Sequence, residues 1–268
     1  MVEYTSDPLR VFWSSAVLAK KALFSWLSPP LWIMQLFFMS LFQIAFFAYV
    51  ATYVKNPEVG VSYVVVGNAL QSIAAVSVFA VCNITGEEKN QGTLQGILVS
   101  PGNRFSIFVG RAMFQIVNGL ATVVIAFFYA AFLFNVDFSH ADLIALALVC
   151  LVTTFAMTGL GLLLSSVGLY LRTSMIIANI FLFIGLLLCG VNFPVSYLPG
   201  WIQPVSYVIP MTYGTDAARM AISGSNTLDI GGLLLLELLV GLALIVIGYL
   251  MFLGFERLSR SRGTSDKF

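Results

Sequence analysis

Charge is scarce in this chain of 268 residues: Asp, Glu, Lys and Arg make up 9% of it, while 59% is hydrophobic. A soluble domain carries about 25% charged residues, so too little polar surface exists here to coat a water-exposed globule. Histidine is scarcer still. His140 is the single one, which excludes a multi-histidine metal centre. The three cysteines, Cys82, Cys150 and Cys189, are far apart inside apolar stretches. They read as small core residues, with no disulfide framework or metal-ligand spacing. Excess positive charge is also missing: thirteen Lys and Arg face twelve Asp and Glu, so nothing supplies the basic surface that nucleic acid requires.

Long apolar runs are abundant. A hydrocarbon core about 30 Å thick takes roughly 20 apolar residues per helix, and six stretches qualify: 31–54, 61–84, 112–134, 143–167, 174–191 and 230–254. The chain therefore reads as a single all-α polytopic membrane domain over 1–268. The fourth and fifth spans are separated by a turn around Gly168–Thr173. The first run lacks a small-residue cleavage site, so it is expected to stay as a span and not to be removed as a signal.

Basic residues orient the spans. With the N-terminus in the cytoplasm, six spans return the C-terminus to that side. Of the thirteen Lys and Arg, only Lys55 and Arg219 then fall outside. Both termini are expected to be cytoplasmic, in the cell membrane.

Ahead of the first span, residues 9–27 place Arg10, Ser14, Lys21 and Ser25 on one helical face and Leu9, Phe12, Trp13 and Leu27 on much of the rest. Such a helix lies in the membrane interface, and Pro29-Pro30 redirects the chain into the bilayer. Between spans five and six, the outer block 192–229 carries Pro194, Pro199, Pro204 and Pro210 with Tyr197, Trp201, Tyr207 and Tyr213. It is too apolar to float in water, so it is expected to pack as short helices or a re-entrant hairpin.

The cytoplasmic loop 85–111 contains Glu87-Glu88-Lys89, Gly92-Thr93-Leu94-Gln95, Leu98 and a Ser100-Pro101-Gly102 stop. Thr93 can cap a short helix with Leu94, Ile97 and Leu98 as an apolar ridge. Pattern alone leaves two readings open: a helix seated in a groove of a separate cytoplasmic protein, or an amphipathic loop on the lipid surface.

Here the chain resembles the type-2 ABC exporter permeases, the ABC-2 type transporter membrane subunits. Glu88-Lys89, Gly92-Thr93-Leu94-Gln95 and Leu98-x-Ser100-Pro101 are similar to the family signature, with Gln95 where Glu is common. A second block agrees: Gly190, Pro194, Leu198-Pro199, Trp201-Ile202-Gln203, Ser206, Pro210, Thr212-Tyr213, Asp216 and Arg219. The resemblance implies an exporter half that pairs with a second permease, identical or closely related. It would engage an ATP-binding subunit through an elbow helix (about 9–27) and a coupling helix (about 88–99). Glu87, Glu88, Lys89, Gly92, Thr93, Leu94 and Leu98 would carry that coupling. Pro194, Trp201, Pro210 and Tyr213 would close the outer side. No Gly-x-x-x-x-Gly-Lys-Ser/Thr occurs, so ATP and Mg belong on the partner and no cofactor is expected in this chain.

Within the spans, Asn68, Gln71 and Ser72 share a face, as do Gln115, Asn118 and Thr122, and Thr154, Thr158 and Ser165. Polar faces are the usual glue between membrane helices. Gln35, Gln43, Asn68, Gln71 and Ser72 are also the candidates for a translocation path along spans one, two and five. Glu237 is the one acid well inside a span. Since an unpaired charge there costs at least about 2.5–3.5 kcal/mol, a contact with Arg219 is expected, with proton coupling as the sharper alternative.

No protease or hydrolase motif is present, and the chain reads as a transport subunit, not an enzyme. The apolar, aromatic-rich composition favours an amphipathic drug, antibiotic or lipid-like cargo. A polysaccharide or glycolipid exporter is the alternative within the class, although Ala19-Lys20-Lys21 and Pro30-Leu31-Trp32 match that subgroup poorly. An ion-coupled secondary transporter is the rival from another class. It would need intramembrane charges and internal repeats, of which Glu237 alone is visible.

Overall fold

The computed structural model describes residues 8–26, 28–90, 104–171 and 174–261. Among the described residues the structure is all helical: α1 (Pro8–Trp26), α2 (Pro29–Val54), α3 (Val61–Asn90), α4 (Arg104–Phe132), α5 (Leu143–Leu171) and α6 (Ser174–Leu188) are followed by a 3-10 turn (Val195–Tyr197), α7 (Gln203–Ser206), α8 (Met211–Ile222) and α9 (Thr227–Ser261). Four described stretches are long and apolar enough to cross a membrane: Pro29–Val54, Val61–Phe79, Leu143–Val167 and Thr227–Gly254. The third and fifth expected spans are represented by shorter apolar stretches, Ile116–Phe132 and Met175–Leu188. At 1.5 Å per residue the fifteen residues of α6 rise about 22 Å, less than the hydrocarbon thickness.

Helix α1 occupies nearly the expected elbow range, and α2 starts at Pro29-Pro30, where a missing N–H costs nothing in the first turn. Lys55 closes α2 in the left-handed conformation (φ 50°), its N–H bonded to Ala51 O at 3.1 Å. Helix α1 rests on α4 through its small residues. A Cβ on Gly110 would collide with the Phe12 carbonyl, and Ser15 is buried beneath, while Leu9, Trp13 and Val17 remain exposed.

Two boundaries differ from the sequence reading. The segment expected to be loop from residue 85 instead continues α3 to Asn90, and α4 begins at Arg104. Glu87, Glu88 and Lys89 are good helix formers with no proline near them, and Gly86 alone costs only about 1 kcal/mol. The turn expected around Gly168–Thr173 is likewise helical through Leu171. The block 192–229 does fold as short helices, and α9 starts at Thr227, three residues before the expected span.

Helix α3 is the buried centre, packed by α2, α4, α5 and α6. Val65, Ala69, Leu70, Ile73 and Val78 are fully enclosed there. Helix α2 presents Met34, Phe38, Phe42, Phe46 and Tyr53 outward, as a lipid-facing helix does. Helices α5 and α9 run parallel along a seam of small residues. A Cβ on Gly241 would lie 2.7 Å from Ala156 Cα, one on Gly248 3.0 Å from Leu163 Cα, and Ser166 Oγ donates to Gly248 O at 3.0 Å. Such close backbone approach is the usual basis of helix association in membranes.

Candidate functional site

The block after α6 is locked onto α3 by one arginine. Gly190 turns the chain with φ 67°, a conformation suited to glycine, and exposes the carbonyls of 190 and 191. Arg219 Nη2 on α8 donates to Gly190 O at 2.7 Å, Val191 O at 3.1 Å and Tyr63 O at 3.2 Å. Its Cζ sits 3.4 Å from the Tyr63 ring centre, a cation–π stack. The Tyr63 hydroxyl donates to Gly190 O at 3.1 Å, and Arg219 Nη1 lies 3.6 Å from Asp216 Oδ1. Burial lowers the Arg219 guanidinium from its ordinary value, while Tyr63 and Asp216 work the other way. Gly67 makes room for this junction: a Cβ there would strike Val191 O and sit 2.8 Å from Arg219 Nη2.

One turn further along α3 an amide chain begins. Asn68 Nδ2 donates to Asn192 Oδ1 at 2.8 Å and to Val64 O at 2.9 Å, and Gln43 Nε2 on α2 reaches Asn68 Oδ1 at 3.5 Å. Gln71 Nε2 donates to Leu182 O on α6 at 3.2 Å, and Ser72 Oγ to Ala69 O at 2.6 Å. Four of the five path candidates are thus brought to one region, where Asn68, Gln71 and Ser72 are buried within the chain. Gln35 is not among them; it is exposed on α2. Asn192, which ends the amide chain by accepting from Asn68 and donating to Leu186 O at 3.4 Å, was missed. A polar residue directly after an apolar run, facing a polar stripe on another span, was the available signal.

Of the outer-gate candidates, Trp201 is 79% exposed and Pro210 is buried as the residue preceding α8. Pro194 precedes the 3-10 turn and is partly covered. Tyr213 donates to Tyr207 O at 3.0 Å, with the two rings 6.0 Å apart. Tyr197 donates a hydrogen bond to the Glu58 carboxylate, tying the block to the α2–α3 connection. That bond is the chief cause raising the Tyr197 phenol above its ordinary value.

The expected Glu237–Arg219 contact is not formed. Arg219 faces α3, whereas the fully buried Glu237 lies against Gly214 and Thr153, and no hydrogen bond of good geometry reaches either of its oxygens. Gly214 and Arg219 are five residues apart, about 140° around the helix, so α8 separates the two charges.

Of the coupling candidates, Glu87, Glu88 and Lys89 belong to the last turn of α3. Gly92, Thr93, Leu94 and Leu98 lie outside the described residues.

Comparison with known proteins supplies the context. The family model described as ABC-2 type transporter matches residues 15–222. The chain is also 26% identical over 176 residues to a protein described as the probable multidrug ABC transporter permease YbhR of Escherichia coli K12, and equally to its counterpart in Escherichia coli O157:H7. The alignment takes in 65% of this chain and 48% of the relative, so the match spans about half the length of the curated relatives.

Proposed function

Because the chain belongs to the ABC-2 type transporter family, we propose that it is the permease subunit of an ATP-driven exporter, with ATP hydrolysed on a separate subunit. The observation that carries this reading is the family match over 15–222. The charged turn ending α3 and residues 92–98 are where the ATP-binding subunit engages. The distribution of Lys and Arg supports six spans with both termini in the cytoplasm and the 192–229 block outside.

A second permease completes the pathway. Helix α2, exposed along most of its length with Phe37, Phe42 and Phe46 outward, meets lipid or that partner. The path runs along α2, α3 and α6, with Gln43, Asn68, Gln71 and Ser72 on its inner side and Gln35 on the outward face of α2. Export of an amphipathic drug, antibiotic or lipid-like molecule fits the exposed aromatic face of α2 and the likeness to a probable multidrug permease. Closure of the ATP-binding subunits pushes the cytoplasmic ends of α3 and α4, and the block bearing Pro194, Trp201, Pro210 and Tyr213 responds on the outer side.

The test is a mild-detergent pull-down of the tagged chain from its native membranes, read by mass spectrometry. A co-purifying protein with a phosphate-binding loop, lost on Thr93→Asp or Leu94→Asp, is expected. A chain that purifies alone, under conditions that preserve other membrane complexes, overturns the reading.

A further inference from the structure

Three helices meet at Glu237. Helix α9 carries the carboxyl, α5 brings Thr153 and α8 brings Gly214, and Glu237, Thr153 and Gly214 are all buried. A Cβ on Gly214 would collide with Thr153 Oγ1 and lie 2.6 Å from Glu237 Oε1. The acid therefore packs directly on the backbone of α8. No hydrogen bond of good geometry reaches either Glu237 oxygen or Thr153 Oγ1, although the hydroxyl stands beside the carboxyl. This is an uncommon arrangement, since buried polar atoms are nearly always satisfied.

The surroundings do not neutralise a negative charge. On α5 the titratable residue one turn from Thr153 is Cys150, a buried thiol. On α8, Asp216 is a half-exposed acid and Arg219 is committed to Tyr63, Gly190 and Val191. On α9 itself the nearest described charge is Asp229, two turns away and exposed. An ion in that position meets neither water nor a counter-charge, which is the most costly way to bury a carboxylate. The neutral acid avoids that cost and has an adjacent hydroxyl.

From this geometry we infer that Glu237 is a proton-binding site linked to the seating of α8. The carboxyl holds its proton while Gly214 is packed on it and gives that proton to water when α8 withdraws. Because the two events are linked, acid favours the seated helix and alkali favours its release, by up to about tenfold per pH unit for one proton. The site needs no ion gradient and stands whether or not ATP powers the chain.

Infrared spectroscopy of the full chain in membranes at neutral pH tests proton occupancy. A protonated-carboxyl band that shifts in heavy water, shifts again in Thr153→Val and is absent from Glu237→Gln is expected. Thr153→Val keeps the test open should Glu237→Gln fail to fold. A wild-type spectrum with carboxylate bands alone overturns the inference. Linkage is read from hydrogen exchange at α8 amides, taken as the ratio of wild type to Glu237→Gln so that the intrinsic pH dependence cancels. The ratio should be near one in acid and climb several-fold towards alkaline pH. A ratio that stays level overturns the link to α8.

Discussion

Arg219 lies flat on the ring of Tyr63, and its Nη2 donates to carbonyls of both Gly190 and Tyr63, so one side chain holds α8, α3 and the end of α6 together. Hydrogen bonds to a charged group contribute about 1.5–3 kcal/mol each and a desolvated cation–π stack about 2 kcal/mol. Arg219→Gln should therefore lower stability by about 2–4 kcal/mol. Arg219→Lys should recover only part of this, because an ammonium cannot stack as a plane. Thermal unfolding in detergent, followed by near-ultraviolet circular dichroism, reads the order wild type, Lys, Gln. Equal midpoints for all three would remove the lock from the account.

Gly67 predicts a steeper response to a smaller change. One methyl there meets backbone, the Val191 carbonyl, which cannot swing aside as a side-chain tip would. Gly67→Ala should cost about 1–3 kcal/mol despite the better helix propensity of alanine. An unfolding midpoint at or above wild type would mean that the segment 189–192 is not seated on α3 as described.

The α5–α9 seam carries its own control. Gly241 touches Ala156, whereas a Cβ on Gly231 or Gly232 meets nothing within 4 Å. Gly232→Ala should stabilise by about 0.5–1 kcal/mol through helix propensity, and Gly241→Ala should destabilise by about 1–3 kcal/mol through overpacking. Opposite signs from the same chemical change on one helix are the result to look for in paired melts.

Tyr197 and Glu58 give a pH prediction. The phenol is raised in the folded chain, chiefly by its hydrogen bond to the Glu58 carboxylate. A group raised on folding contributes stability below its unfolded value and loses it as pH climbs through the folded one. The link should hold at neutral pH and vanish above the ordinary tyrosine range near pH 10. Tyr197→Phe should remove that alkaline step. The step is measured by hydrogen exchange across residues 55–60, and its persistence in Tyr197→Phe would assign it elsewhere.

Much of this arrangement was legible in the chain. The all-helical architecture and the proline-rich block of short helices follow from periodicity, proline placement and hydropathy. What escaped was rotational. Gln35 and Gln43 are both path candidates, but eight residues turn a helix about 80° past two full circles, so Gln43 reaches Asn68 while Gln35 faces outward. The same arithmetic on α8 parts Gly214 from Arg219 and defeats the expected Glu237 pairing. The extent of α3 escaped for another reason: Glu87, Glu88 and Lys89 signal a loop by polarity and a helix by propensity, and propensity decides where no proline intervenes.

Helix α3 has thirty residues and is about 45 Å long. Its first turn carries Tyr63, held by Arg219, and its last carries Glu87, Glu88 and Lys89. For a rigid rod of that length, a tilt of about 5° about the Tyr63 end amounts to about 4 Å of displacement at the Asn90 end. Any travel of a few ångströms at the charged turn would therefore have to be absorbed by α3's neighbours or reach the Tyr63 end as torque on a stacked arginine.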